Sequence, residues 1–225
     1  MEAGYWEQRV QKSNFYYLLI ALLVVLLAVP LADDFEALTT PIVRGIIFST
    51  LLLIGVWSLG GGGHYFSVGM AFVVAGIALN IVAINLYSPI WQYSSILALI
   101  GFLLVAITFT LRQVVFGTEM NANRLVGAIC IFLLLGVIWA LAYTLLDLLM
   151  PGSFVGLAAK REAGWDSGWL YFSFVTLTTL GYGDVAPASA LARTMAYMQA
   201  VVGQFYLAVL VAGLVSAYVS IKRRP

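Results

Sequence analysis

The run TLTTLGYGD, residues 176–184, offers a chemistry that depends on residue type and spacing together. Gly181 and Gly183 stand at alternate positions in it. Successive carbonyls point to one side of a chain when its residues alternate between right-handed and left-handed backbone, and the left-handed conformation is cheap only for glycine. Closely spaced oxygens aligned in this way can replace the water around a cation in a narrow passage. In a soluble protein a Gly-Tyr-Gly-Asp string is usually a turn, because glycine and aspartate both favour turns. Its surroundings argue otherwise here. The string follows an apolar, threonine-rich run, 169–179, and precedes an apolar stretch of about 25 residues, long enough to cross a bilayer.

The elements that must position this string are read from composition and hydropathy. Of 225 residues, 63% are hydrophobic and 9% charged, too little polar surface to coat a soluble globule, so the chain belongs in a bilayer. A net charge of +1 argues against nucleic acid as a partner. Cys130, the single cysteine, reads as a buried small hydrophobe, and with one histidine a protein metal cluster has no ligands to draw on. No catalytic arrangement is present, so the expectation is a protein that is not an enzyme and carries no cofactor.

Runs long enough to cross ~30 Å of hydrocarbon fall at 15–29, 42–59, 66–86, 90–111, 125–150 and 191–220. The run 168–179 is too short to span and reads as a re-entrant helix, tolerable at membrane depth only when protein surrounds it. Arg9 and Lys12, then Arg112 and Arg124, then Lys222, Arg223 and Arg224 mark one side as cytoplasmic, with both termini on it. Asp33, Asp34, Glu36 and the loop with Lys160, Arg161 and Glu162 fall on the other side. Arg44 and Arg193 are outer-side exceptions near the starts of spans, where a long side chain can snorkel. A signal peptide ending near Ala32 is disfavoured, because Pro30, Leu31, Ala32 is a poor cleavage site.

The string 176–184 resembles the selectivity filter of potassium channels, and 125–220 resembles the pore domain of bacterial channels in the six-transmembrane, one-pore-loop, voltage-gated-like superfamily. The resemblance implies an all-α membrane protein with six transmembrane helices, a re-entrant pore helix and a selectivity filter, assembled as a homotetramer among the lipids of the plasma membrane. Residues 1–112 would form a four-helix voltage-sensor-like domain, 113–124 a cytoplasmic linker and 125–225 the pore domain. Potassium, the permeant ligand, would meet the carbonyls of Thr179, Leu180, Gly181 and Tyr182, with the Thr179 hydroxyl as an inner ligand and Gly183 closing the filter. The side chains of Leu180 and Tyr182 would point away from the ions.

By the same resemblance Thr176 and Thr178 support the filter, and the family's tryptophan pair falls on Tyr171 and Phe172. The Tyr171 hydroxyl would reach Asp184 at the external mouth. Phe172 would pack against Tyr182 without being able to donate to it. Ordinary aromatic packing is the alternative for both. Val175 stands where some relatives carry a glutamate, and Gly213 where many have a basic residue. Gly203 falls at the inner-helix hinge of the family. A glycine there eases bending by about 1 kcal/mol relative to alanine, or else allows close helix packing, and both readings stay open. Gln204 and Ser216 would face the pore or a neighbouring helix.

The fourth span of this superfamily normally carries arginines every third residue. Residues 90–111 contain no lysine or arginine, and Arg112 lies at their end. One charge moved through 100 mV yields only about 2.3 kcal/mol, so an uncharged helix contributes almost nothing to voltage sensing. The expectation is a potassium-selective, voltage-independent channel. Its rivals are a weakly selective cation channel, and a potassium transporter or non-conducting regulatory subunit. Transporters commonly repeat between halves, and no second filter-like string occurs. Residues 60–63 and His64 lack the Gly-Lys-Ser/Thr of a phosphate loop and read as a flexible connector. Asp147 reads as an interfacial carboxylate, with pairing to the pore loop as the alternative. Residues 221–225 are too few for a nucleotide-binding or conductance-regulating domain, which leaves a gate within the membrane part or a separate partner as the expectation.

Overall fold

The computed structural model describes residues 14–33, 64–86, 89–116, 122–156, 167–213, 215, 216 and 219. Uninterrupted apolar runs fold into helices: α1 Asn14–Asp33, α2 His64–Leu86, α3 Pro89–Phe116 and α4 Ala122–Leu149. A two-residue strand, β1 Phe154–Val155, precedes the short helix α5 Ser167–Leu177. After residues 178–185 come β2 Ala186–Pro187 and helix α6 Ala190–Phe205, which continues into a π-helical segment, Tyr206–Val211.

By length and composition, Ile90–Val115 and Ala122–Leu149 can each cross a membrane; Phe15–Leu31 and Ser67–Leu79 are shorter apolar helical runs. The span expected at 42–59, the connector at 60–63 and the charged loop residues 160–162 lie outside the described residues. Helix α3 continues to Phe116, so the linker expected at 113–124 begins as helix. Across that connection the Arg124 guanidinium reaches back to the end of α3, donating to the Val114 carbonyl through Nε at 2.9 Å and to the Val115 carbonyl at 3.1 Å. These are last-turn carbonyls that no amide of their own helix can satisfy.

Helix α4 is the centre of the packing. Its buried face, with Cys130, Leu134, Val137 and Leu141, belongs to one apolar cluster with Phe15, Leu18 and Leu22 of α1, Phe102 and Leu103 of α3, and Trp169 and Phe172 of α5. Helices α1 and α3 therefore share a core with α4 and α5. Lipid tails are as apolar as leucine, so contact of this kind is held by close packing and not by expulsion of water. Gly136 shows how close: a β-carbon there would lie 2.4 Å from the tip of the Phe174 ring, so α5 rests in a notch of α4.

Behind α5 sits an aromatic cluster. Phe154 packs edge-on against Tyr143, Trp169 and Phe172, with ring centroids 5.5, 4.8 and 5.5 Å away. The same residue pairs with Pro187, and Val155 with Ala186, in an antiparallel ribbon that joins the exit of α4 to the entry of α6. The Ser153 carbonyl reinforces the joint by accepting from the amides of Ala188 (2.8 Å) and Ser189 (3.2 Å). Ser189 then caps α6, its side chain accepting from the Ala192 amide at 3.2 Å. Phe154→Ala is expected to cost about 3–5 kcal/mol, as for other buried aromatics, and to lower the melting temperature of the purified protein in detergent. An unchanged melting temperature would show that this ring anchors nothing.

Candidate ion-binding site

Helix α5 ends at Leu177, so the carbonyls of its last turn must find partners beyond it. Residues 178–181 provide them. The Phe174 carbonyl accepts from the Thr178 amide at 3.0 Å and the Thr178 hydroxyl at 2.7 Å, and the Thr176 carbonyl accepts from the Thr179 amide at 3.0 Å. The Val175 carbonyl accepts twice, from the Leu180 amide at 2.9 Å and the Gly181 amide at 3.3 Å.

These bonds dictate where the oxygens go. No peptide bond among the described residues is cis, and in a trans peptide the carbonyl points opposite to the amide that follows it. The Leu180 and Gly181 amides face α5, so the Thr179 and Leu180 carbonyls face away from it. The backbone alternates to match: Thr179, Gly181 and Gly183 are left-handed, with φ of +58°, +58° and +81°. For Thr179 this conformation costs about 1–2 kcal/mol, and a β-branched residue there is a genuine outlier. Strain of this kind persists where the surroundings over-determine it, often at functional sites. Among the described residues, no group donates to the carbonyls of Thr179, Leu180, Gly181 or Tyr182. Residues 178–184 are all exposed on the single chain, Leu180 at 55% and Tyr182 at 68%.

At the far end of this loop, the Tyr171 hydroxyl donates to Asp184 Oδ2 at 2.6 Å, and the Val185 amide to Oδ1 at 3.0 Å. The Tyr171 bond first, then the Val185 amide, holds the Asp184 carboxyl below the usual carboxylate range. Phe172 behaves differently from its neighbour. Successive helical residues point about 100° apart, and Phe172 lies on the buried face with Trp169 and Ser173. It packs on Tyr143, with centroids 4.9 Å apart, and on Phe154, not on the exposed Tyr182 of its own chain.

Gly203 is buried where α6 crosses the end of α5. A β-carbon there would lie 2.6 Å from the Leu177 carbonyl oxygen, so the position requires close approach. Regular α-helix runs through it and gives way at Tyr206–Val211. Inside that segment Tyr206 is buried and donates to the Ala128 carbonyl at 2.6 Å. Gln204 and Ser216 are exposed. Asp147 is buried on α4, where its helical position continues the face of Tyr143 and Thr144. Sequence reasoning passed over Ser173 and Gln199, both fully buried. The signal available was a polar side chain inside an apolar helix.

Residues 131–220 match a family model described as "Ion channel". Over 67 residues the chain is 36% identical to a protein named "Two pore potassium channel c" from Oryza sativa subsp. japonica; the match covers 30% of this chain and 14% of that protein's length. No solved structure matches. Part of this chain is thus similar to ion channels, and a shorter part of it to a potassium channel.

Two substitutions test the site. If Gly203 served bending alone, Gly203→Ala would stabilise α6 by up to about 1 kcal/mol; overpacking against Leu177 instead costs about 1–3 kcal/mol, so the melting temperature is expected to fall. For Asp184, a depressed carboxyl keeps its charge, and its bond to Tyr171, as pH drops to the ordinary range near ~4 and loses them only below it. Tyr171→Phe removes the chief cause, so the Asp184 carboxyl is expected to take up its proton at higher pH in the variant than in the wild type, as followed by infrared titration of the purified proteins. Coincident acid profiles would show that the bond does not tune Asp184.

Proposed function

We propose that this chain is one subunit of a homotetrameric, potassium-selective channel of the plasma membrane. Four copies of residues 179–183 would surround an axis, and the carbonyls of Thr179, Leu180, Gly181 and Tyr182 would replace the hydration shell of a potassium ion. The observation that carries this reading is the alternation of left-handed Thr179, Gly181 and Gly183, combined with amides anchored on α5 and oxygens facing away from it. Cyclic assembly supplies what one chain lacks, since an ion needs oxygens on all sides and each copy contributes one row. The exposed Leu180 and Tyr182 side chains would be covered by neighbouring copies. The α5 helices would aim the negative ends of their dipoles at the cavity below the filter.

The proposed topology has six spans with both termini cytoplasmic. Helix α3, with Arg112 as its only basic residue, moves no appreciable charge in the field, so opening would not be driven by an arginine sensor. Tyr171 and Asp184 would brace the outer mouth, and Thr176 and Thr178 the inner turn.

Reconstituted vesicles test the reading directly. Selective potassium flux in unitary steps is expected from the wild type. Gly181→Ala forces an alanine to φ +58° at about 1–2 kcal/mol per subunit and is expected to lower that flux at least about tenfold. Comparable sodium flux would favour a weakly selective pore, and slow saturable exchange a transporter. A protein that purifies as a monomer and passes no ions would sink the proposal.

A further inference from the structure

Three fully buried polar side chains, one each from α4, α5 and α6, join in a single hydrogen-bonded chain behind the filter. The Tyr143 hydroxyl donates to Gln199 Oε1 at 2.5 Å. Gln199 Nε2 donates to the Ser173 carbonyl at 3.0 Å and to Ser173 Oγ at 2.8 Å. Ser173 Oγ donates to the Gly136 carbonyl at 2.7 Å. The direction of this chain has one solution. Backbone carbonyls only accept, so the Ser173 carbonyl requires the nitrogen of Gln199, and the Gly136 carbonyl requires the hydroxyl proton of Ser173. Ser173 Oγ must then accept from Gln199, whose oxygen is left to accept from Tyr143. Both amide hydrogens and both hydroxyl hydrogens are used, as a buried polar network demands.

The network meets α5 at a particular place. Ser173 is followed by Phe174, Val175 and Thr176, whose carbonyls hold the amides of Thr178, Thr179, Leu180 and Gly181. Resting on the channel reading above, we infer that Gln199 is a positioning residue for ion selection: it fixes the rotation and height of α5 against the inner helix, and through Val175 the direction of the Thr179 and Leu180 carbonyls. Tyr143 positions Gln199 in turn. Tyr206 supplies a matched comparison, because its bond to the Ala128 carbonyl also joins α6 to α4 through a buried tyrosine hydroxyl but does not touch α5.

The test uses the full chain in vesicles, with potassium and sodium flux measured separately and assembly checked by size exclusion. Tyr143→Phe and Gln199→Met each leave a buried polar group unpaired and are expected to lower the potassium-to-sodium flux ratio about tenfold. Gln199→Glu keeps the shape but turns an acceptor toward the Ser173 carbonyl, and is expected to fall at least as far. Tyr206→Phe is expected to lower thermal stability and leave the ratio unchanged. If the Gln199 variants fail to assemble, Tyr143→Phe decides, since it removes one oxygen and keeps the ring. A selective wild type whose ratio survives Tyr143→Phe, or drops equally with Tyr206→Phe, overturns the assignment and leaves the channel reading intact. A wild type without potassium flux overturns both.

Discussion

Carbonyl dipoles set side by side and pointing the same way repel one another, and a backbone that carries them so has to be held by its amides. In this protein the restraint comes from the last turn of α5. Its Phe174, Val175 and Thr176 carbonyls have no helical amides left to accept from, and they take the amides of residues 178–181 instead. Two deficits cancel at this junction: the helix end gains donors, and the strand gains anchors that turn its oxygens outward. Even Thr179 is kept left-handed, against its steric preference.

An anchor is only as firm as the helix that provides it, and α5 is held on several sides. Phe174 sits in the notch at Gly136, and Trp169 and Phe172 press against Phe154 and Tyr143. Gly203 lets α6 approach the Leu177 carbonyl. The β1–β2 ribbon ties the exit of α4 to the entry of α6. Packing of this density suits a membrane interior, where helix association depends on close contact and satisfied polar groups. The polar chain through Gln199 fits the same rule, because a half-satisfied network at that depth would cost more than an apolar core.

Two adjacent side chains of α5 do different work. Tyr171 is turned toward Asp184 and bonds it, while Phe172 is turned into the subunit and stiffens α5 from behind. Helix α6 and its π-helical continuation divide their labours too. The close contact lies at Gly203, and the irregular backbone lies at Tyr206–Val211, where wider hydrogen-bonded turns loosen the helical repeat. Bending and packing need not share one residue.

Local chemistry was legible in the linear sequence. Glycines at 181 and 183 announce left-handed backbone, a short apolar run before them announces a helix that cannot span, and Tyr171 carries the one donor of its aromatic pair. The apolar runs at 15–29, 66–86, 90–111 and 125–150 are each matched by a helix, because unbroken apolar sequence has few other ways to satisfy its backbone in lipid. What the linear order could not disclose depends on neighbours brought from far away. The left-handed turn at Thr179 comes from anchors on α5, the burial of Phe172 from an aromatic cluster contributed by α4 and β1, and the close approach at Gly203 from the crossing of α6 over Leu177. Gln199 looks like any polar residue in a helix until Ser173 and Tyr143, 26 and 56 positions earlier, are placed beside it. Residue type alone determined which backbone conformations were cheap and which side chains could donate; tertiary structure decided which of them would be paired, because burial and partnership are properties of the space between helices.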